Sequence, residues 1–264
     1  MNLKINGLQV FIEGNINNPK ILFVHAFPHD HRMWSKQITA LSRDFCVISY
    51  DVRGFGESAI ENGQYTMEMY ADDLINIVDE IDGGKPVLVG LSMGGYISLR
   101  ALEKAEDKFS GVVLMDTRSE ADDNAGKLKR ANAIKEISEN GIIDFATEFV
   151  KGCLSEKTLN GGTPAYNQAL EIAKSQDPIG VKGALLAMVS RTDTTESLSN
   201  LSIPALVVCG EHDSLTPPEM MRAMAERIPD SHYVEIPEAG HLSNMENPDE
   251  VNKTIFKFAE IIFS

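Results

Sequence analysis

Cysteine is scarce in this chain, and so are tryptophan, basic charge and long apolar runs; each shortage removes a class of protein. The 264 residues contain three cysteines and one tryptophan. Cys46, Cys153 and Cys209 are odd in number, lie far apart and show no ligand spacing, so neither a disulfide framework nor a zinc site is indicated. Cys46 and Cys209 fall inside apolar runs and read as reduced, buried thiols of a cytoplasmic protein. No apolar stretch approaches the roughly 20 residues of a membrane span. The opening MNLKINGLQVFIEGNINNPK interrupts each apolar cluster with polar or charged residues, which neither a signal peptide nor an anchor does. Basic residues are outnumbered 24 to 39, and the net charge of −15 is dispersed, with no lysine- or arginine-rich block to hold a phosphate backbone or an anionic bilayer. Nucleic acid and membranes are therefore not expected partners. A small molecule is, with the protein a monomer or homodimer.

What is present is a repeated grammar of short apolar runs, turns and helical patterns. Leu3 to Ile5 and Leu8 to Ile12 flank Asn6-Gly7, a strong hairpin signal. Ile21 to Val24, Phe45 to Tyr50, Val87 to Val89 and Gly111 to Met115 read as buried strands, with helices around Met33 to Leu41, after Thr66, and from Met93 to Glu106. Near-continuous apolar strands separated by helices indicate an α/β fold with a mostly parallel sheet covered on both faces. Between Thr117 and Leu201 the strands stop. Leu128 to Ile137, Ile142 to Cys153, Ala165 to Ala173 and Val181 to Val189 read as four helices in succession. They are expected to form an inserted cap, residues 118–200, above a core of residues 1–117 and 201–264. The strand grammar then resumes with Ala205 to Cys209, a helix from Pro218 to about Arg227, His232 to Ile236, and a closing helix from near Pro248 to about Phe258.

The stretch VLVGLSMGGYISL places Ser92 between Gly90 and Gly94, after a strand and before a helix. That context is what a nucleophile elbow needs: a strained turn lifts the hydroxyl off the sheet, and glycine at both flanking positions removes clashes with neighbouring backbone. The alternative is an inert strand-to-helix turn. A serine hydroxyl needs a base and an orienting acid. His241, in IPEAGHLSNMENP, and Asp213, in LVVCGEHDSLTPP, follow later strands in the order Ser, Asp, His. Glu211 and Asp116 are rival acids, and His241 could instead be a structural loop histidine. Oxyanion donors are expected from the backbone N–H of Met93, which opens the helix, and of Phe27, in the loop after Ile21 to Val24.

These segments resemble the α/β-hydrolase fold family over essentially the whole chain: FVHAFP, SYDVRGFGES, VLVGLSMGG, LVVCGEHDSLTPP and AGHLSNMENP occur in order. The resemblance implies an eight-stranded sheet, a helical cap after the sixth strand, and the triad Ser92, Asp213 and His241 with Phe27 and Met93 as oxyanion donors. DTRSEADD and AGHLSNMENPDEVN are similar to a 3-oxoadipate enol-lactonase-like or carboxylesterase-like subgroup. The chain departs from it at His25-Ala26-Phe27-Pro28, where that subgroup carries an Asn-Ser-Leu-Gly type loop. Serine at position 92 disfavours the aspartate-nucleophile chemistry of dehalogenases and epoxide hydrolases. The expected activity is hydrolysis of a small carboxylic ester or lactone through an acyl-enzyme, with no cofactor and no metal. C–C bond hydrolysis, thioester hydrolysis and perhydrolysis would reuse the same triad, and a ligand-binding or signalling protein on the same fold is the alternative class.

Candidate pocket residues are His25, Phe145, Leu185 and Met188, with Arg118 and Arg191 at the roots of the insertion. The aliphatic and methionine content of the proposed roof favours an uncharged acyl group. Either arginine turned inward would favour a carboxylate, while pairing with Glu120, Asp122 or Asp193 would keep it structural. The cluster His25 to His31 lacks a completing ligand pattern for a metal, and Gly54-x-Gly56 lacks the third glycine of a dinucleotide loop.

Overall fold

The computed structural model describes residues 1–81 and 83–264. Strands β1 (Asn2–Ile5) and β2 (Leu8–Glu13) form the antiparallel hairpin. Asn6 and Gly7 turn it with φ of 48° and 86°, the left-handed pair that matches the twist of the flanking strands. β2 also runs antiparallel to β4 (Cys46–Tyr50). From there every pairing is parallel, through β3 (Lys20–Val24), β5 (Val87–Leu91), β6 (Gly111–Met115), β7 (Ala205–Gly210) and β8 (Ser231–Ile236). The sheet order is β1-β2-β4-β3-β5-β6-β7-β8. β3 to β7 are buried at every residue, which is why their sequences are apolar without alternation. β2 alternates buried and half-buried residues, and β8, at the edge, is mostly half-buried.

Helices α1 (Ser35–Leu41), α2 (Met67–Glu80) and α3 (Met93–Ala105) pack on the first part of the sheet. Thr66 caps α2 by accepting from the Met69 N–H, with Glu68 in the first turn where it suits the helix dipole. The insertion between β6 and β7 holds five helices: α4 (Asn124–Asn140), α5 (Ile142–Cys153), α6 (Glu156–Asn160), α7 (Pro164–Lys174) and α8 (Pro178–Val189). Helical periodicity predicts four of these; α6 is too short to show it and is announced only by its N-cap, Ser155. α4 begins at Asn124, ahead of the expected Leu128, because its polar first turn is held by Asp123 accepting from the Gly126 N–H. Helices α9 (Pro218–Ala225), α10 (Ser243–Glu246) and α11 (Pro248–Phe263) complete the chain. α11 runs five residues past the expected Phe258, since Phe256 and Phe263 pack their rings on Phe45 at 5.5 and 6.3 Å. No helix of the described residues is long and apolar enough to cross a membrane.

The loops after β3, β5, β6, β7 and β8 all leave the sheet at its carboxyl edge. In an open parallel sheet that edge is where ligands bind, and the insertion after β6 rises beside it.

Candidate active site

Ser92 joins β5 to α3 with φ 54° and ψ −112°. An L-residue enters that region only at a cost of about 1–3 kcal/mol, so the surroundings must enforce it. The Ser92 N–H donates to the Met115 carbonyl at 2.9 Å, and Thr117 Oγ1 donates to the Ser92 carbonyl at 2.8 Å. A Cβ at position 90 would strike the Gly94 carbonyl, and one at position 94 the Val24 carbonyl. Gly95, which sequence reasoning did not single out, is held to glycine by the Thr117 side chain in the same way.

Asp213 sits in the turn after β7. Its Oδ1 accepts from the N–H groups of Leu215 and Thr216 at 2.8 and 3.0 Å, and its Oδ2 accepts from Thr216 Oγ1 at 2.6 Å. Oδ2 also lies 2.8 Å from His241 Nδ1, while His241 Nε2 lies 2.8 Å from Ser92 Oγ. Asp213 and His241 are almost fully buried. Of the rival acids, Glu211 is exposed and accepts from the Glu238 N–H. Asp116 is fully buried but spends its oxygens on the Gly210 N–H, at 2.7 Å, and the Ser243 hydroxyl.

The electrostatics separate the two buried carboxyls. Burial pushes the Asp213 carboxyl up, but the His241 charge and the hydrogen bonds from His241 and Thr216 hold it below the usual range. Burial pushes Asp116 well up, and the negative charge of Asp213 adds to this. The surroundings thus favour the ionised form at Asp213 and disfavour it at Asp116. Burial pulls the His241 imidazole down; the charge and hydrogen bond of Asp213, with smaller help from Asp116 and Glu246, outweigh it and leave the ring above its ordinary value.

Neither the Phe27 nor the Met93 N–H is hydrogen-bonded to a backbone carbonyl in the turns, loops and caps of the described residues. Phe27, Ser92 and His241 line a cavity of about 370 Å³, walled by Phe145 and Phe149 of α5 and by Leu185 and Met188 of α8. A second, outer cavity of about 640 Å³ between α4 and α5 shares Lys129, Ala133, Phe145, Phe149 and Leu215 with it. Tyr96, Arg118, Asp122 and Arg130 line one end of the inner cavity. Asp122 accepts from Arg118 at 2.7 Å, from Arg130, and from Arg191 at 3.0 Å. Three guanidiniums thus meet on one carboxylate, the only acidic group lining this cavity among the described residues.

Two of the six candidate pocket residues, His25 and Arg191, do not line that cavity. His25 is fully buried; its Nε2 accepts from the Val52 N–H at 2.9 Å and its Nδ1 donates to the Ala26 carbonyl at 3.0 Å, so it ties the β3 loop to the β4 loop as a neutral ring. Burial lowers its pKa. Arg191 lies behind Tyr96, its guanidinium 4.1 Å from the ring centroid, and it donates to the Glu120 carbonyl as well as to Asp122. Arg130 and Tyr96 were the omissions. Arg130 belongs to the polar helix α4, where one inward arginine looks like any solvated one. Tyr96 was findable, because it lies in the first turn of α3, the helix that begins directly after Ser92.

Among the described residues, two side-chain groups have spacings compatible with a metal: Asp30, His31 and Asp51, and Asp116, Cys209 and Asp213. Their carboxylates are already engaged. Asp30 accepts from Arg32 and Gln176, and Asp51 from His31 and the Glu57 N–H. The Cys209 thiol is pushed far up by burial and stays protonated.

Comparison with known proteins agrees with the architecture. Residues 19–248 match the family model for the alpha/beta hydrolase fold. A structure of a thermophilic esterase from Thermogutta terrifontis, with malate bound, superposes with a TM-score of 0.94 at 36% identity, covering 100% of both chains. The enol-lactonase from Burkholderia xenovorans LB400 superposes with a TM-score of 0.89 at 26% identity over 98% of this chain and 99% of that one. By sequence, 3-oxoadipate enol-lactonase 1 of Acinetobacter baylyi is 28% identical over 97% of this chain and 94% of its own length. With its sheet order, its helical insertion after β6 and its serine elbow, the chain belongs to the α/β-hydrolase fold family.

Proposed function

We propose that the protein is a serine hydrolase that cleaves a small carboxylic ester or lactone through an acyl-enzyme, with residues 118–200 as a cap over the reacting groups. The observation that carries this reading is the unbroken chain Asp213–His241–Ser92, with 2.8 Å at each link. His241 Nε2 takes the proton of Ser92 Oγ as the oxygen attacks the carbonyl carbon; Asp213 holds the ring in the tautomer with Nδ1 protonated and stabilises the imidazolium. The oxyanion is received by the N–H groups of Phe27 and Met93, the latter at the positive end of α3. As the tetrahedral intermediate collapses, His241 returns the proton to the leaving oxygen. Water then repeats the sequence on the acyl-serine and frees the acid. The test is hydrolysis of short p-nitrophenyl esters by wild type and Ser92→Ala. Unchanged turnover in the folded variant defeats the reading, as does failure of a fluorophosphonate to label Ser92 in a wild type that binds lipophilic ligands.

The three arginines on Asp122 support a carboxylate-bearing substrate rather than the uncharged acyl group expected from the aliphatic roof. Arg118 and Arg130 face the cavity with one carboxylate to balance them, in a chain whose net charge is −15. A dicarboxylate was bound in the related esterase structure. The expected preference is for hemiesters of short dicarboxylic acids, or lactones carrying a carboxylate, over matched diesters, weakening with added salt. Equal kcat/KM for monoethyl and diethyl glutarate at both low and high ionic strength would return the assignment to a neutral acyl group.

A further inference from the structure

The loop that carries His241 is fastened to the cap. The His241 N–H donates to the carbonyl of Cys153, the last residue of α5, at 2.7 Å. Beside this bond the Glu246 carboxylate makes a three-point bridge. Its Oε2 accepts from the Ser155 N–H at 2.9 Å and from Ser155 Oγ at 2.7 Å, and its Oε1 accepts from the Gly240 N–H at 2.8 Å. The approach is close enough that a Cβ on Gly240 would sit 2.8 Å from both the Cys153 oxygen and the Ser155 nitrogen. The nearby tie between Lys157 and Glu238 is an exposed ion pair, worth little in water. Farther along α5, Phe145 and Phe149 meet Phe27 edge-on, with ring centroids 6.1 and 5.2 Å away. One cap helix therefore touches both the loop of the proposed base and the loop of a proposed oxyanion donor.

We propose that Glu246 is a positioning residue that locks the His241 loop onto the carboxyl end of α5, so that the imidazole is in line with Ser92 only while the cap is seated. The inference rests on the serine-hydrolase reading of the site. Glu246 touches neither substrate nor Ser92 and acts through the backbone on either side of His241. It makes cap docking and alignment of the base one event, and a cap lifted for substrate entry withdraws the base at the same time.

The test uses the full chain, a neutral p-nitrophenyl ester and three substitutions. In Glu246→Gln the amide can accept on one side only; with its oxygen on Ser155 its NH2 confronts the Gly240 N–H. The expected result is a kcat lower by about 10- to 100-fold, the cost of a misplaced catalytic group, with KM changed far less. The pH profile separates positioning from simple loss of stability. The titratable groups facing His241 are Asp213 from the β7 loop, Asp116 from the β6 loop, whose ionisation burial disfavours, and Glu246 from α10; Cys153 from the cap is a thiol kept neutral by burial. Loss of the Glu246 charge should move the acid limb of kcat/KM to lower pH. Glu246→Asp keeps the charge but draws the carboxylate back by one methylene, so kcat should fall with the limb unmoved; it decides the question by itself if the Gln variant does not fold. Ser155→Ala removes one of the three bonds to Glu246, together with the cap bond that Ser155 Oγ accepts from the Thr158 N–H of α6, and no charge, and should lower kcat least. Wild-type kcat in Glu246→Gln or Glu246→Asp, or a loss explained by a lower melting temperature with an unmoved limb in Glu246→Gln, overturns the inference while Ser92→Ala stays inactive. Turnover by Ser92→Ala would instead bring down the hydrolase reading and this inference with it.

Discussion

Replacing Asp213 by Asn changes one atom and should nearly abolish turnover. The cause lies in which atom must turn which way. Oδ1 of Asp213 accepts two backbone N–H groups, those of Leu215 and Thr216. The Asn carbonyl must take that place, because an NH2 there would face two donors. The NH2 then occupies the position of Oδ2, 2.8 Å from His241 Nδ1. It donates to Nδ1 and forces the opposite tautomer, in which Nε2 carries the hydrogen and points it at Ser92 Oγ. The base has lost its lone pair, and the imidazolium its counter-charge. By analogy with the same exchange in other serine triads, kcat should fall by about 10³- to 10⁴-fold, or about 4 to 5.5 kcal/mol in the barrier. Asp116→Asn should cost less than about tenfold, since the Asp116 oxygens are spent on the Gly210 N–H and the Ser243 hydroxyl while Asp213 holds Nδ1, and burial disfavours its charge. The assay is kcat on a p-nitrophenyl ester for both variants, with near-ultraviolet circular dichroism to establish equal folding. A larger loss in Asp116→Asn than in Asp213→Asn would refute the assignment of the acid.

The remaining predictions concern pH and packing. Since a raised His241 pKa keeps the ring protonated to higher pH, the acid limb of kcat/KM should fall above pH 6.5; a limb below that value contradicts the sign of the shift. His29 is fully buried, and burial lowers its pKa from 6.5 to about 4. Between those values the unfolded chain binds a proton that the folded chain does not, so stability should fall as pH drops from about 6.5 to 4, by roughly 3 kcal/mol in all. Urea midpoints for wild type and His29→Leu at pH 7, 5.5 and 4.5 test this, and identical slopes exclude it. Gly94→Ala places a methyl group against the Val24 carbonyl and should cost about 3 kcal/mol of stability together with most of the activity; a thermal melt within one degree of wild type would mean that the elbow can relax.

The parts of the molecule that were readable in the sequence are those governed by local rules. Asn6-Gly7 announced the hairpin, the unbroken apolar runs of β3 to β7 announced buried parallel strands, and Gly90 and Gly94 around Ser92 announced a turn that admits no side chain. The triad candidates were legible because each stands just past a strand end. What escaped depends on tertiary placement. Nothing in the composition of α4 marks Arg130 as inward while its neighbours face water. Arg118 and Arg191 look equivalent at the two roots of the insertion, yet only Arg118 reaches the inner cavity, because Arg191 stacks on Tyr96. Likewise His25 was drawn toward the pocket by its neighbours Ala26 and Phe27, whereas its ring turns back to hold the Val52 amide. Glu246 resembles any acid in a short polar segment until Ser155 and Gly240 are seen to converge on it.

The central claim is that Ser92 carries the acyl group during turnover. Wild type mixed with excess p-nitrophenyl butyrate, quenched within milliseconds and digested, tests it by mass spectrometry of the peptide spanning Val87 to Arg100. The account predicts a butyryl adduct on Ser92, formed with a burst of p-nitrophenol approaching one equivalent if deacylation is the slower step, and greatly prolonged in a variant lacking the His241 imidazole. Turnover with no adduct at any time, or an adduct on another residue that chases into product at the rate of turnover, would contradict it.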